Sequence, residues 1–341
     1  MASLRELWIL RVCYCCLRWN AMWGMVWVVL ATLPFGPVVV RAADDPGVAR
    51  AERRVLTFLA TEVPRWSREN HCFSCHNNGD AARALLAAKK RGVTLLPEDA
   101  LRETLAFLSR PERWDKNGVD AAFSDKRLAR LQFANALAAA VDANAIGDRS
   151  VLLNAADRLV VDQASDGSWN IDEVALIGSP ATYGAPLATA LARRTLLTAD
   201  SPRFSGPIHQ AARWLQARPV QNTLDVAAIL IGLDPNEVSP DLRVRCLDLI
   251  RKGQSSDGGW GPFSNSPPEA FDTAMILLAL SRWPAPSNEI TPFIQGGRRY
   301  LVANQAEDGS WTETTRPTGG ESYAQRLSTT GWVALSLLAT D

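Results

Sequence analysis

The sequence predicts an all-α chain: a single ring of six helix pairs, six helices inside and six outside. Three observations predict it. The segment pattern Gln-x-x-Asp-Gly-x-Trp occurs at Gln163–Trp169, Gln254–Trp260 and Gln305–Trp311, with spacings of 91 and 51 residues. Each copy follows an amphipathic helical run and precedes an Ala/Leu-rich run, as in the helix pairs of a repeat array. Almost nothing between these runs has the alternation expected of a strand.

Taken in chain order, residues 1–42 have the pattern of an export signal. Arg5, Arg11 and Arg18 form a basic start, residues 21–34 an apolar stretch, and Val40-Arg41-Ala42 a small-residue cleavage site. The apolar stretch is shorter than the roughly 20 residues of a membrane span, which favours a cleaved leader and no stable span afterwards. Delivery to a bacterial periplasm is the expectation. The alternative is a retained leader that anchors the protein to the membrane, and the true start may be taken as Met22 or Met25. Cys13, Cys15 and Cys16 leave with the leader, and Cys72, Cys75 and Cys246 remain.

The toroid is expected over 47–341. First, outer helices are expected around Arg53–Phe58 and Leu101–Leu108, then around Asp157-Arg158, Ala211–Gln216, Arg245-Cys246-Leu247 and Arg298-Arg299. Second, inner helices are expected at Asp80–Ala88, Leu128–Val141, Tyr183–Leu197, Leu224–Leu233, Phe271–Leu280 and Arg326–Leu338. The inner runs are apolar nearly all round, as in Ala274–Leu280, and such helices are buried on most sides. The outer ones carry charge on one face. Closing the array into a ring removes the exposed ends of an open solenoid.

The composition agrees with a packed chain. The 341 residues are 47% apolar and 21% charged, which excludes a disordered protein. Lys and Arg number 36, as do Asp and Glu, so no basic excess points to nucleic acid. Six Cys are too few for a disulfide scaffold of this length.

Within each repeated segment, Asp-Gly supplies a turn in which Gly takes a positive φ. The Trp ring buries a large area between successive pairs, and the Gln amide can bond backbone groups at the outer helix end. Gln163, Trp169, Gln254, Trp260, Gln305 and Trp311 are therefore read as structural. These segments resemble the QW repeats of the terpenoid cyclase and protein prenyltransferase toroid family, and residues 297–311, GRRYLVANQAEDGSW, match that repeat nearly in full. The resemblance implies an (α/α)6 barrel similar to one half of a squalene–hopene cyclase, and it suggests an apolar small molecule in the ring. Neither family chemistry finds its motif. Hopene-type cyclases protonate an alkene with DxDD, which does not occur here. Prenyltransferases hold zinc with Asp, Cys and His on inner helices, whereas Cys246 falls on an outer one.

Residues 72–76 read CFSCH, where the first repeat should carry its Gln-Trp turn. CxxCH is the attachment sequence of a c-type haem. The two thiols, Cys72 and Cys75, can each add to one haem vinyl group, and the adjacent His76 can bind the iron. HCFSCHNNG also looks like the haem site of bacterial c-type cytochromes. A Cys72–Cys75 disulfide or redox pair, or half of a zinc site, are the alternatives. For the second axial position the candidates are Met275, His209, or an open or water-bound site. Cys246 is expected to be a buried small hydrophobe.

Asp80, Asp225 and Asp272 stand at the starts of inner helices. Capping of free backbone N–H groups is the simpler reading, and an acidic rim at one mouth of the ring the sharper one. Tyr183, Trp332, Tyr323 and Glu321 could face the cavity. The function expected on these grounds is an exported haem-c toroid that transfers electrons or senses redox state with a partner protein. A terpenoid-cyclase-like enzyme, or a non-catalytic scaffold for an apolar ligand or protein, are the alternatives.

Overall fold

The computed structural model describes residues 45–341 except 94–96, 98, 118–125, 172–176, 181, 284–287, 315 and 317–321. The expected leader, with its three Cys, and Glu321 lie outside the described residues.

Twelve α-helices are described: α1 Pro46–Asn70, α2 Ala82–Lys90, α3 Arg102–Leu108, α4 Lys126–Asp142, α5 Arg149–Val161, α6 Gly184–Ala199, α7 Ser205–Ala217, α8 Thr223–Gly232, α9 Pro240–Gly253, α10 Ala270–Leu280, α11 Thr291–Ala303 and α12 Tyr323–Ala339. No strand occurs among the described residues, and none of their helices is long and apolar enough to cross a membrane.

The even-numbered helices form the inner ring. In order, α2, α4, α6, α8, α10 and α12 each pack on the next, and α12 packs back on α2. The odd-numbered helices lie outside, and α11 and α12 both meet α1 to close the circle. Burial follows this division. Every residue of α8 is buried, whereas α7 buries only Ala211, Ala212 and Leu215. The six predicted pairs are thus all present. Among the described outer helices, those of the first two repeats are the longest and the shortest. There α1 runs for 25 residues, and α3 has only 7 before a 3-10 turn over Pro111–Lys116 that buries Trp114.

The three Gln-Trp turns are built alike. Gly167, Gly258 and Gly309 have φ of 95°, 96° and 92°. A Cβ on Gly309 would lie 2.7 Å from the Arg54 carbonyl oxygen, so the turn needs glycine both for its backbone and for its approach to the next outer helix. Trp169, Trp260 and Trp311 are fully buried, and each indole N–H donates at 2.8 Å to the carbonyl ten residues earlier, on Leu159, Ile250 and Leu301. Their backbone N–H groups donate to Thr189, Thr273 and Thr330 on the following inner helix. Each Gln amide donates both to its own turn and to the next repeat. Gln163 reaches Gly167 and Pro207, Gln254 reaches Gly258 and Phe293, and Gln305 reaches Gly309 and Ala51. The last of these, with Arg54 donating to the Ala306 and Glu307 carbonyls, stitches the sixth repeat to the first.

Candidate functional site

The first repeat lacks a Gln-Trp turn and instead carries CFSCH between α1 and a π-helical turn, Cys75–Ala81, that runs directly into α2. Single π turns inside helices occur frequently at functional sites. Helix α1 ends where His71 takes a left-handed conformation, φ 54°, with its N–H donating to Ser67. The loop that follows is pinned on both sides. The Phe73 N–H donates to Asn117 Oδ1 at 3.0 Å while the Asn117 amide donates back to the Phe73 carbonyl, and the Phe73 ring stacks on Phe107. Ser74 caps the π turn by accepting from the His76 and Asn77 N–H groups.

The turn itself is held by two asparagines. Asn77 donates to the Glu62 carbonyl and to Tyr323, and Asn78 to the Val63 carbonyl and to Thr104. Both carbonyls adjoin Pro64, inside α1. On the other side the turn lies tight against α12, where a Cβ on Gly331 would sit 2.9 Å from the Ala81 Cα. Gly331 therefore lets two inner helices meet at van der Waals distance beside His76.

Cys72, Cys75 and His76 all keep part of their surface exposed, and no disulfide joins the two cysteines. His76 Nδ1 lies 2.9 Å from Ser328 Oγ on α12. The Ser328 hydroxyl donates in turn to Asp80 Oδ2 at 2.8 Å. That hydroxyl proton is committed to a carboxylate, so Ser328 accepts from His76, which assigns the His76 proton to Nδ1 and leaves the Nε2 lone pair unused. Desolvation pushes the His76 pKa down to about 4, so the imidazole is neutral at pH 7.

Asp80 is fully buried. It also accepts from Gln132 at 2.7 Å and from the Tyr183 hydroxyl, with Arg83 3.8 Å away. Burial raises its pKa to about 6, opposed by Arg83 and by these three hydrogen bonds. Tyr183 reaches Asp80 from an uncommon backbone conformation for a bulky residue, φ 61°, immediately before α6.

None of the three acids is itself an N-cap residue. The N-cap positions are held by Ser74, Asn222 and Glu269. Asp80, Asp225 and Asp272 stand inside the helical turns that follow. Asp225 accepts from Arg218 and from the Gln221 N–H. Asp272 takes a two-pronged contact from Arg316, at 2.8 and 2.9 Å, and Arg316 also reaches Gly178 ahead of α6. Burial lifts Asp272 to about 6 in spite of Arg316. A carboxyl whose folded pKa is raised adds stability that is complete below its unfolded value near 4 and is lost as pH rises through 6. Between pH 4 and 7, the stability gap between wild type and Asp272→Asn should therefore move by about 2 kcal/mol in the variant's favour. Urea denaturation across that range measures it, and a gap that stays constant would sink the assignment.

The remaining candidates scatter. His209 is exposed on the outer helix α7, whose inner neighbours are α6 and α8. Met275 is fully buried on α10, in the packing against its neighbouring helices. His209 lies on the outer helix of the fourth pair and Met275 on the inner helix of the fifth, whereas the π turn packs between α4 and α12. Cys246 is buried on α9, and burial pushes its thiol up to about 12. Tyr183 and Trp332 are both buried. They pack edge to face at 5.8 Å, with Phe271 against Trp332. Tyr323 lines a cleft of about 540 Å³ with Thr312, Glu313, Ser322 and Arg326. Among the described residues no cluster of three or more His, Cys, Asp or Glu is arranged to hold a metal ion.

No family model and no curated protein sequence matches the chain. Solved structures do. The type II terpene cyclase MstE from Scytonema superposes with a TM-score of 0.54 at 14% identity, covering 86% of this chain and 97% of that one. A protein from Actinoplanes gives 0.54 at 16% identity, over 86% and 99%. A possible member of the GH105 family from Klebsiella pneumoniae subsp. pneumoniae gives 0.50 at 13%, over 94% and 98%. The chain is an α/α toroid. At these identities the likeness carries the fold alone, and the toroid's neighbours have different chemistry in their names.

Asn77, Asn78 and Ser328 were not singled out from sequence. The NNGD run at the start of an apolar helix was the available sign for the first two. Ser328 had none, since its role depends on a partner 252 residues away.

Proposed function

We propose that this toroid is an exported haem protein, with one haem c joined to Cys72 and Cys75 and its iron bound by His76, serving electron transfer or redox sensing with a partner protein. The observation that carries the reading is the state of His76. Its Nδ1 is taken up by Ser328, which leaves Nε2 as the ligating atom, beside two thiols that keep part of their surface open. A ligand histidine ordinarily has its second nitrogen bound in this way. Bound haem would supply one-electron iron chemistry. The chain's own part is to hold the thiols on a pinned loop and to orient the imidazole.

Mature protein made in a host that matures c-type cytochromes should show a mass gain of one haem and keep its colour through denaturation. An unmodified mass, with reactive thiols at Cys72 and Cys75, would overturn the proposal.

Likeness in fold to a type II terpene cyclase keeps a second reading in view, an enzyme acting on a terpenoid-like ligand. Asp80 and Asp272 are weak acids, raised to about 6. Protonating an alkene needs a much stronger one. Incubation with squalene in detergent should give no cyclised product. Hopene-like products that disappear in Asp272→Asn would establish the enzyme reading instead.

A further inference from the structure

We infer that Ser328 is a positioning residue that couples the buried Asp80 carboxylate to the imidazole of His76 and thereby lowers the reduction potential of the iron that His76 binds. The inference rests on the haem reading above.

The coupling is built from parts of the chain far apart in sequence. His76 and Asp80 belong to the π turn, and Ser328 to α12. Ser328 and Asp80 are both fully buried, so no water competes for the two hydrogen bonds between them and His76. The relay has one direction. Asp80 accepts from Tyr183 on Oδ1 and from Gln132 on Oδ2, and Ser328 adds a third donor. An ionised carboxylate can only accept, so the Ser328 proton points at Asp80 and its oxygen lone pairs point at His76 Nδ1–H. A hydroxyl polarised by a carboxylate is a better acceptor than an isolated one. It draws the Nδ1 proton and leaves more electron density on Nε2. A more basic axial ligand favours the ferric over the ferrous state, which lowers the potential. Gly331, one helical turn beyond Ser328 on α12, permits the close approach that brings the hydroxyl within reach.

A serine that merely filled space would affect stability without touching the iron. The test is the midpoint potential of the purified haem protein, measured by spectroelectrochemistry, for wild type, Ser328→Ala, Ser328→Thr and Asp80→Asn. Ser328→Ala should move the midpoint upward. Ser328→Thr, which keeps the hydroxyl, should stay with wild type. Asp80→Asn should move upward like Ser328→Ala, since an amide can turn a donor toward Ser328. If Ser328→Ala does not fold, an upward shift in Asp80→Asn with none in Ser328→Thr supports the coupling. Haem-loaded Ser328→Ala or Asp80→Asn at the wild-type midpoint overturns it and leaves the haem reading standing, as does Ser328→Thr shifted as far as the alanine variant. Wild-type protein of unmodified mass overturns both.

Discussion

Replacing Trp311 by Ala should cost about 3–5 kcal/mol of stability, the range for deleting a fully buried aromatic ring. The indole has no solvent exposure, and its N–H satisfies the Leu301 carbonyl at 2.8 Å. Removing it leaves a hole between α11 and α12 and an orphaned buried carbonyl, and the two losses act together. Position adds to the effect. The turn that Trp311 ends is the one whose Gln305 bonds Ala51, so slackening it loosens the seam between the last repeat and the first. Trp260→Ala should fall in the same range, from the same packing in the fifth repeat. Urea denaturation followed by far-ultraviolet circular dichroism measures both. The haem spectrum of either variant, where it folds, should match wild type. Full stability with loss of an activity would mean that these rings contact a ligand instead.

Cys72→Ala combined with Cys75→Ala should remove covalent haem entirely while leaving most of the helical signal. Neither cysteine is fully buried, and the loop between them is held by Asn117, Asn78 and the Phe73–Phe107 stack. The substitutions delete little packed volume, so the helical content and unfolding cooperativity should survive. The colour should vanish on denaturation, and the mass should equal that of the bare chain. A double variant that retains covalently bound haem would refute attachment at this loop. One that collapses would show that the two side chains serve the fold.

The helix pairs could be read from the sequence because their determinants are local. A turn needing Gly at positive φ, a Trp two residues later and a flanking apolar run all lie within about 30 residues, as in other helical repeats. Even the degenerate copies, such as the one ending in Ala211–Gln216, kept enough of that pattern. The site was harder to read because its determinants are not local. Asp225 and Asn222 are both good capping residues three positions apart, and nothing in the sequence says which stands before the helix and which inside its first turn. Asp80 has a raised pKa because distant parts of the chain pack over it and exclude water, an effect that the hydrogen bonds from Gln132, Tyr183 and Ser328 only partly offset. Met275 and His209 were candidates by elimination, and their distance around the ring from His76 follows from repeat order only after ring closure is known. CFSCH stood out because its chemistry is written in five consecutive residues.

The order in which the chain is made has a consequence for the environment of His76. Contacts that span most of the chain form late in folding, since the entropy of closing so long a loop has to be met before the contact contributes anything. His76 meets Ser328 across 252 residues, and Asn77 meets Tyr323 across 246. While α12 is still unmade or undocked, CFSCH is an accessible segment with both thiols open to any enzyme that modifies it. Once α12 docks, one face of His76 is sealed against the ring. The histidine's hydrogen bonding is thus completed only when the circle shuts, whereas Cys72 and Cys75 keep part of their surface open both before and after.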